Sequence, residues 1–283
     1  MRTATYETPG SLRLRLSLPV GQIEVETVTG TTTHVELEAV SRDMEEIVDE
    51  ARIDCRERGE GHEVIVEVQT RFGFFVSIGR SHDIRLRITC PVGADLEVMT
   101  KSADLRARGE FGTVDMKTAS GDASIEDARG DVKYKSASGD LHVEHAGGSM
   151  QAQTASGDVA VSEVDGDLTV QLVSGDVWVR DARASVSANT VSGDQKFDAV
   201  HSGTMELRSV SGDIHLGVRR GCRIYVDANT VSGATTSELD LSDAPTDAGE
   251  SSDEGTLVEI RAKTVSGDIA IMRAPALTGI ERA

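Results

Sequence analysis

The chain has 283 residues, a net charge of −19, 38% hydrophobic residues and only 3% aromatics. That acidity argues against nucleic-acid backbone or an anionic membrane surface as a broad partner, and the dearth of aromatics leaves any core to Val, Ile, Leu and Ala. Three scattered cysteines (Cys55, Cys90, Cys222) form neither a CxxC nor a disulfide framework, and no apolar leader or run of eighteen apolar residues is present, so a soluble cytoplasmic protein without a membrane span is expected.

The first patterned segment, "PVGQIEVETVTG" at residues 19–30, places a glycine before alternating apolar residues. "PVGADLEVMTKSAD" at 91–104 repeats it with one residue inserted. Residues 31–90 interrupt the pattern. They are predicted to hold a strand at 34–39, an amphipathic helix at 41–54, and the strands "HEVIVEVQT" and "DIRLRITC". Residues 1–91 thus read as N-terminal strands, a first coil beginning near Pro19, and a helix-bearing cap that covers it. Inside the cap, "RFGFFVSIGR" gathers Phe72, Phe74, Phe75 and Ile78 in a loop that either folds back over the first coil to finish its core or forms a candidate interaction site.

Ser-Gly-Asp then begins at Ser120, Ser138, Ser156, Ser174 and Ser192, eighteen residues apart, and returns at Ser211 and Ser266. A second glycine sits nine residues after the first in several periods (Gly130, Gly148, Gly166), and apolar residues alternate after each. Period-two alternation between glycine turns predicts two short strands per period. One such unit cannot bury its apolar face, but stacked units can. The predicted fold is an all-β, single-stranded β-solenoid with eighteen-residue coils over 92–283, right-handed by the crossover preference. Val159, Val161, Leu168 and Val170 are expected to point inward. The acidic stretch at 237–254 reads as a mobile surface loop, and "TLVEIRAKTVSGDIAIM" as the final coil.

The motif itself reads as corner chemistry. Gly121, Gly139, Gly157, Gly175, Gly193, Gly212 and Gly267 are expected to turn the chain at positive φ. Asp122, Asp140, Asp158, Asp176, Asp194, Asp213 and Asp268 are expected to accept hydrogen bonds from backbone N–H groups of the turn. Stacking makes these carboxylates a ladder. Calcium is not expected, because the second glycine is followed by Asp131, Ser149, Asp167 or Ser185 and the opposing ligand turns are missing. In "HVEH", His142 and Glu144 are placed on opposite strand faces and the histidines read as solvated. Trp178, the single tryptophan, is expected outside, in column with Lys196 and His215, as a possible anchor for a partner. A polar strip of Thr169, Gln171, Ser187 and Asn189 lies on the other outer face.

Repeated T-[VA]-S-G-D followed by alternating Val, Ile or Leu resembles the toast-rack, or putative-adhesin β-strand-repeat, family of bacteria, over essentially the whole chain. The resemblance implies a single-stranded β-helix without established enzyme activity, and some relatives belong to envelope-stress systems of the phage-shock and Lia type. The expected function is a non-catalytic scaffold or interaction module with a protein partner or a second copy, and with no catalytic residue, cofactor or metal. A carbohydrate- or envelope-binding, adhesin-like module is the alternative, and a polysaccharide-acting solenoid enzyme ranks below it.

Overall fold

The computed structural model describes residues 1–69, 84–239 and 256–274, which fold into two compact units, Met1–Val159 and Ala160–Ala283. Both are built mainly from parallel β-strands, with almost no helix. The first opens with β1 (Arg2–Glu7), β2 (Leu12–Val28), β3 (Thr32–Ala39), α1 (Glu45–Asp49), β4 (Arg52–Arg58), β5 (Gly61–Glu67), β6 (Ile84–Pro91) and β7 (Ala94–Lys117).

β2 is the first coil. It pairs in parallel with β7 from Arg13 onward, earlier than the predicted start near Pro19, because "LRLRL" already alternates and buries Leu12, Leu14 and Leu16. On its other side lie β5, against residues 12–17, and β6, against residues 22–28. β1 and β3 extend the β6 side antiparallel, and β4 folds back on β5 across a turn at Gly59. The helix is far shorter than the predicted 41–54: one 3-10 turn at Arg42–Met44 and then α1. Residues 52–58 pair with β5 instead, so tertiary pairing overrides local helix propensity.

Charges fix the register of these outer layers. Arg85 and Arg87 of β6 stand opposite Glu38 and Glu36 of β3, and Arg87 reaches Glu24 of β2 at 3.2 Å. On the opposite face, Arg13 of β2 bonds Glu97 of β7 at 2.6 Å. Slipping one strand by a residue would break every such row.

Beyond β7 the first unit repeats. Ala123–Ala128 pairs with Leu141–Ala146, and Val132–Ser138 with Met150–Ser156, always parallel and eighteen residues apart. The inward columns hold Ile125, Val143, Val132, Tyr134, Met150 and Ala152, all buried.

The second unit continues the grammar: Leu168–Ser174 pairs with Val186–Ser192, which pairs with Gly203–Ser211, while Val177–Ala182 pairs with Gln195–Val200 and that with Ile214–Val218. Val159, Val161, Leu168 and Val170 are buried, as expected. One extra residue enters near His201, and a register shift between Phe197 and Val200 absorbs it. Gln195 breaks the apolar column: it is buried between Val177 and Ile214, and its Nε2 donates to Thr190 Oγ1 at 2.9 Å and to the Arg208 carbonyl at 2.7 Å.

The order of the last coils departs from the sequence. Gly203–Ser211 pairs with Leu257–Ser266, and Leu257–Ser266 pairs in turn with Arg223–Ser232. The coil at 257–273 is therefore inserted between its two predecessors, and the coil at 223–237 ends the stack. Burial explains the choice. The inserted coil brings Val258, Ile260, Ala262, Ile269 and Ile271, all buried, whereas Arg223–Ser232 keeps Tyr225, Val226 and Val231 exposed.

Candidate functional site

The Ser-Gly-Asp corners carry most of the recurring chemistry. At Gly157 the backbone lies at φ 133°, and a Cβ there would stand 2.1 Å from the carbonyl oxygen of Gly139, one coil earlier. Gly121 does not share the positive φ expected of it; glycine is required there because a Cβ would meet the Ala103 carbonyl at 2.3 Å. The carboxylates also differ from expectation in where they bond. Oδ1 of each accepts from the next coil, not from its own turn: Asp104 from Asp122 N–H at 3.0 Å, Asp122 from Asp140 at 2.9 Å, Asp140 from Asp158 at 2.8 Å. In the second unit Asp176, Asp194, Asp213 and Asp268 accept from Asp194, Asp213, Asp268 and Ala234 at 2.7–2.8 Å. These aspartates clip coil to coil.

A second set of clips lies at the other corner. Asp95 accepts from Thr113 N–H at 2.8 Å, Asp131 from Ser149 at 2.9 Å, and Asp167 from Ser185 at 3.2 Å. Ser185 carries the line on with its own hydroxyl, which accepts from Thr204 N–H at 3.2 Å. Among the described residues no three His, Cys, Asp or Glu side chains are grouped to hold a metal ion.

His142 and Glu144 prove to share a face, as residues two apart on a strand must. His142 Nε2 lies 2.9 Å from Glu144 Oε1, and His145 Nδ1 lies 2.8 Å from Asp127. In the second unit, Trp178 is 37% exposed and shares its column with Lys196 and His215. Its indole N–H donates to Asp198 Oδ2 at 2.8 Å, and Lys196 meets the other oxygen at 3.2 Å. The polar strip pairs Thr169 with Ser187 and Gln171 with Asn189. Phe72, Phe74, Phe75 and Ile78 lie outside the described residues.

Two features of the second unit went unread in the sequence. Asp181 is buried and draws in His201 at 2.7 Å, Arg219 at 3.3 Å and Arg183 at 3.7 Å, one carboxylate tying together three coils. The second feature is a row of valines. Val173, Val191, Val210, Val265 and Val231, the Val of each V-S-G, stack in that order and are 48–83% exposed. At about 4.8 Å per coil they form an apolar ridge about 19 Å long. The signal was present: Thr190 points inward, so Val191 must point out. The equivalent places of the first unit include Lys101, Ala119, Ala137 and Ala155, with no valine among these.

A model of the family described as Toastrack DUF4097 matches residues 14–221 and again 168–272. The chain belongs to this family. Its Toastrack coils cover both units described above. Among solved structures it is similar to a putative adhesin from Bacteroides fragilis, with 12% identity, 95% of this chain and 96% of that one covered, and a TM-score of 0.44. It is also similar to a putative cell adhesion protein from Clostridium sporogenes, with 11% identity, 96% and 98% coverage, and a TM-score of 0.27. No curated protein matches. No helix among the described residues is long and apolar enough to cross a membrane.

Proposed function

We propose that this Toastrack chain is a non-catalytic interaction module, a right-handed β-solenoid that docks a protein partner along the valine ridge of its second unit. The ridge carries the reading: a contiguous line of exposed apolar side chains contributes nothing to the core and seldom stays bare on a monomer. The recurring carboxylates support it from the other side, because their bonds to the next coil explain the repeat without any catalytic role. Three free cysteines suit the reducing cytoplasm proposed as its location. An envelope-stress assembly is the kind of partner that the family resemblance implies. The adhesin-like alternative would use Trp178 and the polar strip, but the indole N–H is already bound to Asp198.

The test is a comparative pull-down from the native host using the intact chain and the double variant Val191→Asp/Val210→Asp. Loss of a specific partner by a variant with unchanged melting temperature is expected. An identical set of bound proteins would overturn the assignment of the ridge.

A further inference from the structure

Among the described residues, the coil that ends the second unit, strands Arg223–Ser232 and Thr235–Ser237, pairs on one side only. Its core-facing side chains show the consequence. Val258, Ile260 and Ala262 are fully covered, whereas Ile224, Val226 and Ala228 in the same columns are partly open, with Val226 at 40% exposure and Tyr225 beside it at 60%. The edge runs ten residues without proline, lysine or a bulge, and its only charges are Arg223 and Asp227. The outer strands of the first unit are guarded. β4 reads Arg-Ile-Asp-Cys-Arg-Glu-Arg, and Arg2 of β1 donates to carbonyls at the end of α1.

We infer that this end coil docks against the same coil of a second copy of the chain. The Arg223–Asp227 segments of the two strands pair antiparallel about a two-fold axis at Tyr225. The sequence of the edge is self-complementary in that arrangement, as an isologous contact demands. Arg223 of each copy stands opposite Asp227 of the other, Ile224 opposite Val226, and the two Tyr225 rings meet at the axis. The axis runs perpendicular to the sheet, so inward side chains stay inward and the open end of each core is covered by its twin. Charge favours the same site. Residues 223–237 contain one arginine and one aspartate in a chain of net charge −19, so these strands themselves bring no net charge to the contact.

The inference does not depend on the valine ridge, and its test is separate. Sedimentation of the full chain over a concentration series should show a dimer. Asp227→Arg sets arginine against arginine twice and should weaken dimerisation about tenfold or more, while Arg223→Asp/Asp227→Arg should restore it. Tyr225→Lys, which places two ammonium groups on the axis, is the second disrupting variant should the first lose its native melting transition. A monomer at every concentration, or a dimer indifferent to both disrupting variants, would overturn the inference.

Discussion

Oδ1 of Asp122 accepts the backbone N–H of Asp140 at 2.9 Å, one full coil further along the chain. Asp140 repeats the bond with Asp158, so each aspartate is both anchored and anchoring. The charge of the carboxylate strengthens the bond, and the bond satisfies an N–H at a corner where the ladder is interrupted.

Replacing Asp140 with alanine removes the acceptor for Asp158 N–H. A loss of about 1.5–3 kcal/mol is expected, read as a lower urea midpoint at unchanged slope. Asp140→Asn keeps an acceptor oxygen while lowering repulsion along the row, and should cost well under half of that. Equal losses for the two variants would mean that the charge, not the acceptor, is what matters.

Gly157→Ala tests close approach. The new methyl would meet the Gly139 carbonyl at 2.1 Å from a backbone at φ 133°, so the coils must part or the corner must turn. Strain of this kind costs roughly 1–3 kcal/mol before the clash is added. Gly59, at φ 62° with nothing within 4 Å of a Cβ, is the control, and Gly59→Asn should be nearly silent in the same thermal melt.

Alkaline pH should destabilise the first unit. Burial, with added repulsion from Asp122, Asp140 and Asp104, pushes the Tyr134 hydroxyl up to about 12, and this hydroxyl donates to the Gly121 carbonyl at 3.1 Å. A raised folded value means that the unfolded chain gives up the proton first. The stabilisation is complete below pH 10 and is lost as pH climbs toward 12, a swing of roughly 2–3 kcal/mol. Tyr134→Phe should remove that part of the pH dependence in chemical denaturation. A slope unchanged by the substitution would assign the effect elsewhere, first to Cys90.

Thiol labelling should separate the three cysteines. Cys90 is fully buried and burial pushes its thiol up to about 12, while Cys55 and Cys222 are partly open with more modest upward shifts. In the native state Cys55 and Cys222 should be modified at mild pH, and Cys90 only after denaturant is added. Early labelling of Cys90 would show that β6 opens locally.

The eighteen-residue coil was legible because two physical periods coincide in it. Strand alternation marks which side chains face inward, and a corner that recurs at the same depth needs the same glycine each time. The second row of aspartates was harder to read, since Asp95, Asp131 and Asp167 alternate with Thr113, Ser149 and Ser185. The Asp181 cluster joins residues 20 and 38 positions apart, and no local pattern announces it. Coil order was not legible at all. The coils 203–218, 223–237 and 257–273 share the same inward columns and the same Ser-Gly corner, so their edges fit one another, and burial favours 257–273 inside and 223–237 outside. The short α1 shows the same competition: its helical pattern ran on past residue 50, but β5 offered those residues a better partner.

The inserted coil also bears on how the protein emerges from the ribosome. Coils made in order could settle one upon another as they leave the exit tunnel, but residues 257–273 arrive after the coil that must finally lie outside them. Until then the edge of 203–218 can be occupied by 223–237, whose Thr-Val-Ser-Gly matches it in register. Completing the native stack therefore requires that 223–237 either stay undocked until then or be displaced outward by one layer. Synthesis is vectorial, but assembly of this end cannot be, and its last step waits for the last coil.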